Sequence, residues 1–172
     1  MSQSIIRSTM QNLCVVMLVL SILISLAMHY LSKSRLSLAE EMYRWVVAVG
    51  FGLVGIYAFM LHAFFQSAAA KTIGWQPSPF EYEVAVANLA FGLLAVMSFR
   101  ASFGFRLATV VGITFWQWGD AIGHVYQMAN AHNLSPGNAG VWFWCDVIIP
   151  VVLMVLMIAM KRDQQNQGRS RV

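Results

Sequence analysis

The sequence predicts an all-α membrane protein, built as a bundle of five transmembrane helices. Of its 172 residues, 59% are hydrophobic and only 10% are charged, whereas soluble domains carry about 25% charged residues. The apolar residues are grouped in long runs, each near the roughly 20 residues that a helix needs to cross the hydrocarbon of a bilayer. Lipid is therefore the predicted surrounding of most of the chain.

Five apolar runs are predicted as the spans. They are Leu13–Leu31, Trp45–Phe65, Val84–Phe99, Phe105–Met128 and Val141–Met160. The bundle is predicted to occupy residues 1–160, followed by a polar cytoplasmic tail over residues 161–172.

Two capping boxes are predicted at helix starts, where a Ser side chain and a Glu three residues later satisfy free backbone N–H groups. Ser37 and Glu40 predict that the second helix begins before its apolar run. Ser78 and Glu81, with a proline between them, predict the start of the third helix.

Basic residues outside the spans predict the direction of the bundle. Two, Arg7 and Lys71, fall on one predicted side. The nine on the other side are Lys33, Arg35, Arg44, Arg100, Arg106, Lys161, Arg162, Arg169 and Arg171. Because positively charged segments stay in the cytoplasm, the N-terminus is predicted outside and the C-terminus inside. These residues flank apolar runs, so the net charge of +4 predicts no nucleic-acid partner.

The first run is predicted to be a span and not a cleaved signal peptide. A single Arg7 precedes it, Lys33 and Arg35 follow it directly, and no clear small-x-small cleavage site is present. The two cysteines, Cys14 and Cys145, lie in or beside apolar runs far apart in the chain. They are predicted to be packing residues, with neither a disulfide nor a metal between them.

Ionisable and polar residues within the spans collect near the predicted outer ends. With a helix rise of about 1.5 Å per residue, Asn88, Asp146, Asp120 and His62 each lie roughly 5–12 Å below those ends. Placing a charged residue at membrane depth costs about 2.5–3.5 kcal/mol on insertion scales. Their common depth therefore predicts one polar site inside the bundle, facing the outer leaflet.

Helical spacing predicts which side chains face that site. Gln117, Asp120 and His124 recur at intervals of three and four, so they form one stripe on the fourth span. On the third span Glu81 shares a face with Asn88, whereas Glu83, two residues later, points nearly the opposite way.

The leading hypothesis is a protein that binds a cation or a small ligand, with Asp120 and His124 binding or exchanging a cation or proton. The candidate site residues are Asp120, His124, Asp146, Glu83, Asn88 and His62. No zinc signature such as H-E-x-x-H occurs, so the cofactor is left open, with a divalent metal as the candidate.

Two other functions remain open. One is a membrane-embedded enzyme that uses the same acids for acid/base chemistry on a lipid-like substrate. The other is a structural or accessory subunit, in which the polar groups only hold helices together. Asp120 and His124, one helical turn apart, would then satisfy each other.

Several polar motifs carry a resemblance to a known family. They are Ile73–Trp75, Ser78–Glu83, Ala87–Leu89, Trp118–His124, Pro136–Gly140 and Asp146–Pro150. Over roughly Trp45 to Leu156 the chain resembles a bacterial family of small multi-pass membrane proteins of unknown function. The resemblance implies a membrane helix bundle and no activity. The predicted location is a bacterial cytoplasmic membrane.

Overall fold

A computed structural model describes residues 11–32 and 34–169, and within that part every regular element is a helix. The helices are α1 Leu13–Tyr30, α2 Leu38–Trp45, α3 Leu53–Phe64, α4 Gln66–Ile73, α5 Phe80–Met97, α6 Phe103–Ala131, α7 Pro136–Ala139 and α8 Val141–Arg169. A π-helical turn, Val46–Gly52, joins α2 and α3 into one long helix, and a 3₁₀ turn, Ser98–Arg100, ends α5. The predicted all-α class is confirmed.

Four helical segments in the described residues are long and apolar enough to cross a membrane. They are Leu13–Tyr30, Leu38–Phe64, Phe80–Arg100 and Pro136–Gln167. Helix α6, which contains the predicted fourth span, is not among them. Its 29 residues would extend about 43 Å, but the polar stripe through Gln117, Asp120 and His124 lowers its mean hydropathy. The structure therefore supports four candidate spans, and the fifth stays a prediction.

Helix α1 packs on α2 and the π-helical turn, α3 packs on α5, and α6 packs on α8. Glycines permit the close approach of α5 to α3 and the π-helical turn. A Cβ added at Gly92 would lie 3.0 Å from the carbonyl oxygen of Gly52 and 3.1 Å from the amide nitrogen of Ile56. The apolar core fills the rest of the bundle, and its most buried large side chains include Tyr43, Ile113, Ile149 and Leu153.

A buried ion pair closes the end of the bundle where α2 begins. Arg106, 5% exposed, donates from Nη1 to the Glu40 carboxylate at 2.8 Å and from Nε to the Ser98 carbonyl at 3.0 Å. The Ser37 hydroxyl accepts from the backbone N–H of Glu40, so the Ser37 half of the predicted capping box is confirmed. The Glu40 carboxylate bonds Arg44 and Arg106 instead of a backbone N–H. Sequence analysis used Arg106 only to predict the orientation of the bundle in the membrane. In the structure its ion pair with Glu40 links α6 to α2.

Some predictions concern residues outside the described part. Arg7, Lys33 and Arg171, three of the basic residues used to predict direction, lie there. Helix α8 runs without a break through residues 161–169, into the segment predicted as a polar tail.

Candidate functional site

A cavity of about 450 Å³ lies between the α3–α5 pair and the α6–α8 pair. Its walls are mostly apolar, with Val54, Leu61, Trp116, Trp142 and Ile149 among the lining residues. Helix α4, the segment that follows it and the start of α7 also contribute lining residues. The cavity therefore occupies the end of the bundle opposite the Glu40–Arg106 ion pair.

Five of the six candidate site residues line this cavity, and Glu83 does not. The five are Asp120, His124, Asp146, Asn88 and His62. Glu83 is exposed on the other face of α5, because two residues along a helix correspond to a rotation of about 200°. Its neighbour Glu81, 8% exposed, lines the cavity instead. Glu83 thus lies outside the cavity, and a ligand-binding role for the six candidate residues stays a prediction.

Glu81 pairs with His62 across the α3–α5 interface. The distance from His62 Nδ1 to Glu81 Oε2 is 2.5 Å. The predicted capping box of Ser78 and Glu81 is wrong, since the Ser78 hydroxyl accepts from the N–H of Phe80 and the Glu81 carboxylate turns to His62. The shared face of Glu81 and Asn88 was the sequence signal that could have assigned Glu81 to the site.

The polar end of the cavity is built around Gln117 on α6 and Asp146 on α8. Gln117, 8% exposed, donates from Nε2 to Asp146 Oδ1 at 3.1 Å. The other Gln117 amide atom, Oε1, is buried and has no hydrogen-bond partner. The second carboxylate oxygen of Asp146 lies 3.8 Å from His124 Nε2. Sequence spacing had placed Gln117 on the stripe with Asp120 and His124 but had not made it a site residue.

Asn138, fully buried in α7, determines which nitrogen of His124 carries the proton. Its Nδ2 donates to the carbonyls of His124 and Asn133, at 3.4 and 2.9 Å. Its Oδ1 accepts from Trp75 Nε1 at 3.1 Å and lies 2.8 Å from His124 Nδ1. The Asn138 oxygen can only accept, so His124 Nδ1 must carry a hydrogen. A neutral imidazole then presents its lone pair at Nε2, towards Asp146.

The other expected pairings of these side chains are not formed in the described part of the chain. No hydrogen bond joins Asp120 to His124 there, and Asn88 Nδ2 donates to the carbonyl of Val84 within its own helix, at 3.0 Å. The ion pairs made by Lys or Arg in the described residues all go to Glu40, at the other end of the bundle. Asp120 and Asp146 therefore form no ion pair with Lys or Arg among the described residues.

The arrangement of metal-ligating side chains bears on the cofactor prediction. Among residues 11–32 and 34–169, no three His, Cys, Asp or Glu side chains form a group that could hold a metal ion. His124 and Asp146 supply two donors. A divalent metal at the site stays a prediction.

Comparison with known proteins identifies a family and no activity. The sequence model of a family of unknown function, DUF6790, matches residues 11–166. No curated protein and no solved structure matches the chain.

Proposed function

We propose, for a chain that belongs to the DUF6790 family of unknown function, that its role is to bind a small organic cation. The ligand has an ammonium group, held between Asp120, Gln117 and Asp146, and an apolar body that fills the rest of the cavity. Both parts of this ligand follow from the atoms that face the cavity.

One observation carries the proposal: the buried oxygen Gln117 Oε1 has no hydrogen-bond partner, and it lies in a cavity lined by two carboxylates that form no ion pair with Lys or Arg among the described residues. Gln117 Oε1, the Asp120 carboxylate and the Asp146 oxygen not bonded to Gln117 form an acceptor cluster. A buried group left unsatisfied costs about 1–3 kcal/mol. An ammonium group brings three N–H donors and a positive charge, whereas an anion or a pure acceptor would add to the imbalance.

The remainder of the cavity supports an apolar body for the ligand. Its volume of about 450 Å³ is within the roughly 300–1,000 Å³ of small-molecule sites, which combine apolar walls with a few polar groups. Tyr57 and Trp142 stack with ring centroids 6.5 Å apart, and both line the cavity. Aromatic faces attract cations that lie within about 6 Å of the ring centroid.

The membrane arrangement belongs to the same proposal. The chain crosses a bacterial cytoplasmic membrane five times, with the N-terminus outside, the C-terminus in the cytoplasm and the cavity in the outer half. Helix α6 crosses with its polar stripe turned to the cavity, so that lipid does not meet Asp120 or His124.

Three probes that share a phenyl ring and differ in head group test the ligand class. The thermal stability of the detergent-purified protein is measured with phenethylamine, 2-phenylethanol and phenylacetate. A ligand that binds only the folded state raises its melting temperature, and we expect this from phenethylamine alone. Asp120→Asn should abolish the rise, whereas Glu83→Gln, which neutralises a carboxylate outside the cavity, should keep it.

The other results of this experiment would contradict the proposal. Equal stabilisation by all three probes would indicate binding through the ring alone. If phenethylamine also raised the melting temperature of Asp120→Asn, the Asp120 carboxylate would not be part of the binding site. Stabilisation of the wild type by Zn²⁺ but not by phenethylamine, lost in Asp120→Asn, would replace the organic cation with a metal.

A further inference from the structure

The two cysteines of the chain lie on the wall of the same cavity. Cys14 is on α1 and Cys145 on α8, with exposed fractions of 1% and 4%. Both are free thiols. The chain contains no third cysteine, so neither thiol has another protein thiol to react with inside one molecule.

The fold brings the two thiols together although they are far apart in sequence. Cys14 Sγ lies 3.8 Å from the carbonyl oxygen of Val141. In a helix the carbonyl of residue i points to the N–H of residue i+4, so Cys14 reaches the turn of α8 that carries Cys145.

We propose that Cys14 and Cys145 are a redox-active pair, which a small two-electron oxidant entering the cavity converts to a disulfide between α1 and α8. Each thiol loses one hydrogen, the S–S bond forms, and the oxidant takes up two electrons and two protons. With an azo compound such as diamide, the N=N bond becomes the N–N bond of a hydrazine. Cys145 precedes Asp146, so the link forms on the turn that carries a cavity carboxylate.

The backbone geometry and the cavity make this step feasible. Disulfides need Cα atoms about 4.4–6.8 Å apart, and some Cα atoms of α1 and α8 lie within 8 Å of each other. The disulfide forms when this helix contact brings the Cα atoms of Cys14 and Cys145 into that range. Buried thiols without access are inert, but these two line a space that a small reagent can enter. The inference does not depend on the ligand proposed for the cavity.

The test treats the reduced, detergent-purified protein with diamide, then unfolds it and labels remaining thiols with a maleimide. We expect the wild type to lose the mass of two hydrogen atoms, to take up no label and to form no disulfide between molecules. A proteolytic peptide joining Cys14 to Cys145 should appear. Cys14→Ala and Cys145→Ala, checked for folding by their melting temperatures, should each take up one label.

Three results would overturn the proposal. The wild type could keep both thiols open to label after diamide, or its disulfides could join separate molecules. The intramolecular link could also form as fast in protein unfolded before diamide treatment. That last result would show that the fold does not accelerate disulfide formation between the two cysteines.

Discussion

The orientation of His124 depends on Asn138, a residue 14 positions later in the chain. Asn138 uses its amide fully: the NH₂ group bonds two carbonyls, and the oxygen faces Trp75 and His124. A buried amide with every atom engaged keeps one orientation, because turning it would place donors against donors. The imidazole of His124 is thereby held with Nε2 towards the cavity.

Asn138→Leu should destabilise the protein by about 2–4 kcal/mol. The change leaves the buried N–H of His124 without an acceptor, at a cost of about 1–3 kcal/mol, and it also removes the hydrogen bonds to the partly exposed Trp75 and to the Asn133 carbonyl. The free energy of unfolding can be measured by titrating denaturing detergent into mixed micelles. Asn130→Ala is the matched control: Asn130 is exposed and bonds only its own helix, so its effect should stay within about 0.5 kcal/mol. Equal losses in the two variants would contradict the assigned role of Asn138.

At the residue scale, sequence reasoning predicted faces better than partners. The spacing of Gln117, Asp120 and His124 predicted one stripe, and all three line the cavity. The partner of Glu81 was missed because His62 precedes it by 19 residues on another helix. Which side chains meet between two helices depends on how the helices are rotated relative to each other. Residue spacing within one helix does not determine that rotation.

The α3–α5 contact makes a prediction at the scale of a helix pair. Gly92→Ala places a Cβ 3.0 and 3.1 Å from backbone atoms of the facing helix, and backbone cannot yield as a flexible side chain can. We expect a loss of about 1–3 kcal/mol in the free energy of unfolding, as for other overpacked sites. The measurement is again denaturing-detergent titration.

A second glycine provides the control for that substitution. A Cβ added at Gly104, near the start of α6, meets no atom within 4 Å. Gly104→Ala should be neutral or slightly stabilising, because alanine favours helix. If Gly92→Ala proved as harmless as Gly104→Ala, close packing would not be what the glycine provides.

At the element scale, apolar runs and caps predicted most helices and missed two features. The run Leu13–Leu31 corresponds closely to α1, and Ser37 caps α2 as expected. The π-helical turn Val46–Gly52 was not predicted, because its sequence is an ordinary apolar run. The side chains that pack against it belong to α1 and α5, which are distant in sequence. A Cβ on Gly50 would lie 3.1 Å from Ser21 Oγ. Burial of Arg106 was missed for the same reason, since Glu40 is distant in sequence.

For the whole molecule, reporter fusions decide whether α6 crosses the membrane. We expect fusions after Phe103 and at the C-terminus to read cytoplasmic, and fusions near Ser135 to read external, because basic residues collect on one predicted side. A chain in which α6 does not cross would put Ser135 on the same side as Phe103. A cytoplasmic reading at Ser135 would therefore contradict the five-span proposal.

Depth along the chain predicted that polar groups would share one level of the bundle, and Asp120, Asp146, Asn88 and His62 do line one cavity. The existence and size of the cavity were not predictable. They depend on how far the α3–α5 and α6–α8 pairs diverge, which is a sum of many side-chain contacts. Mean hydropathy favours four spans over five. The polar stripe lowers the mean hydropathy of α6, and an average over a segment does not record that these side chains line the cavity.

The π-helical turn Val46–Gly52 has a consequence for how one helix serves two neighbours. Each residue advances an α-helix by about 100°, so the wider π-helical turn changes the rotation of α3 about the helix axis relative to α2. Before the turn, Glu40 pairs with Arg106 on α6. After the turn, His62 pairs with Glu81 on α5. Losing one residue from this turn would rotate α3 by about 100° and direct His62 away from Glu81. The π-helical turn therefore sets the relative rotation of α2 and α3, which allows one continuous helix to make polar contacts with two different neighbours.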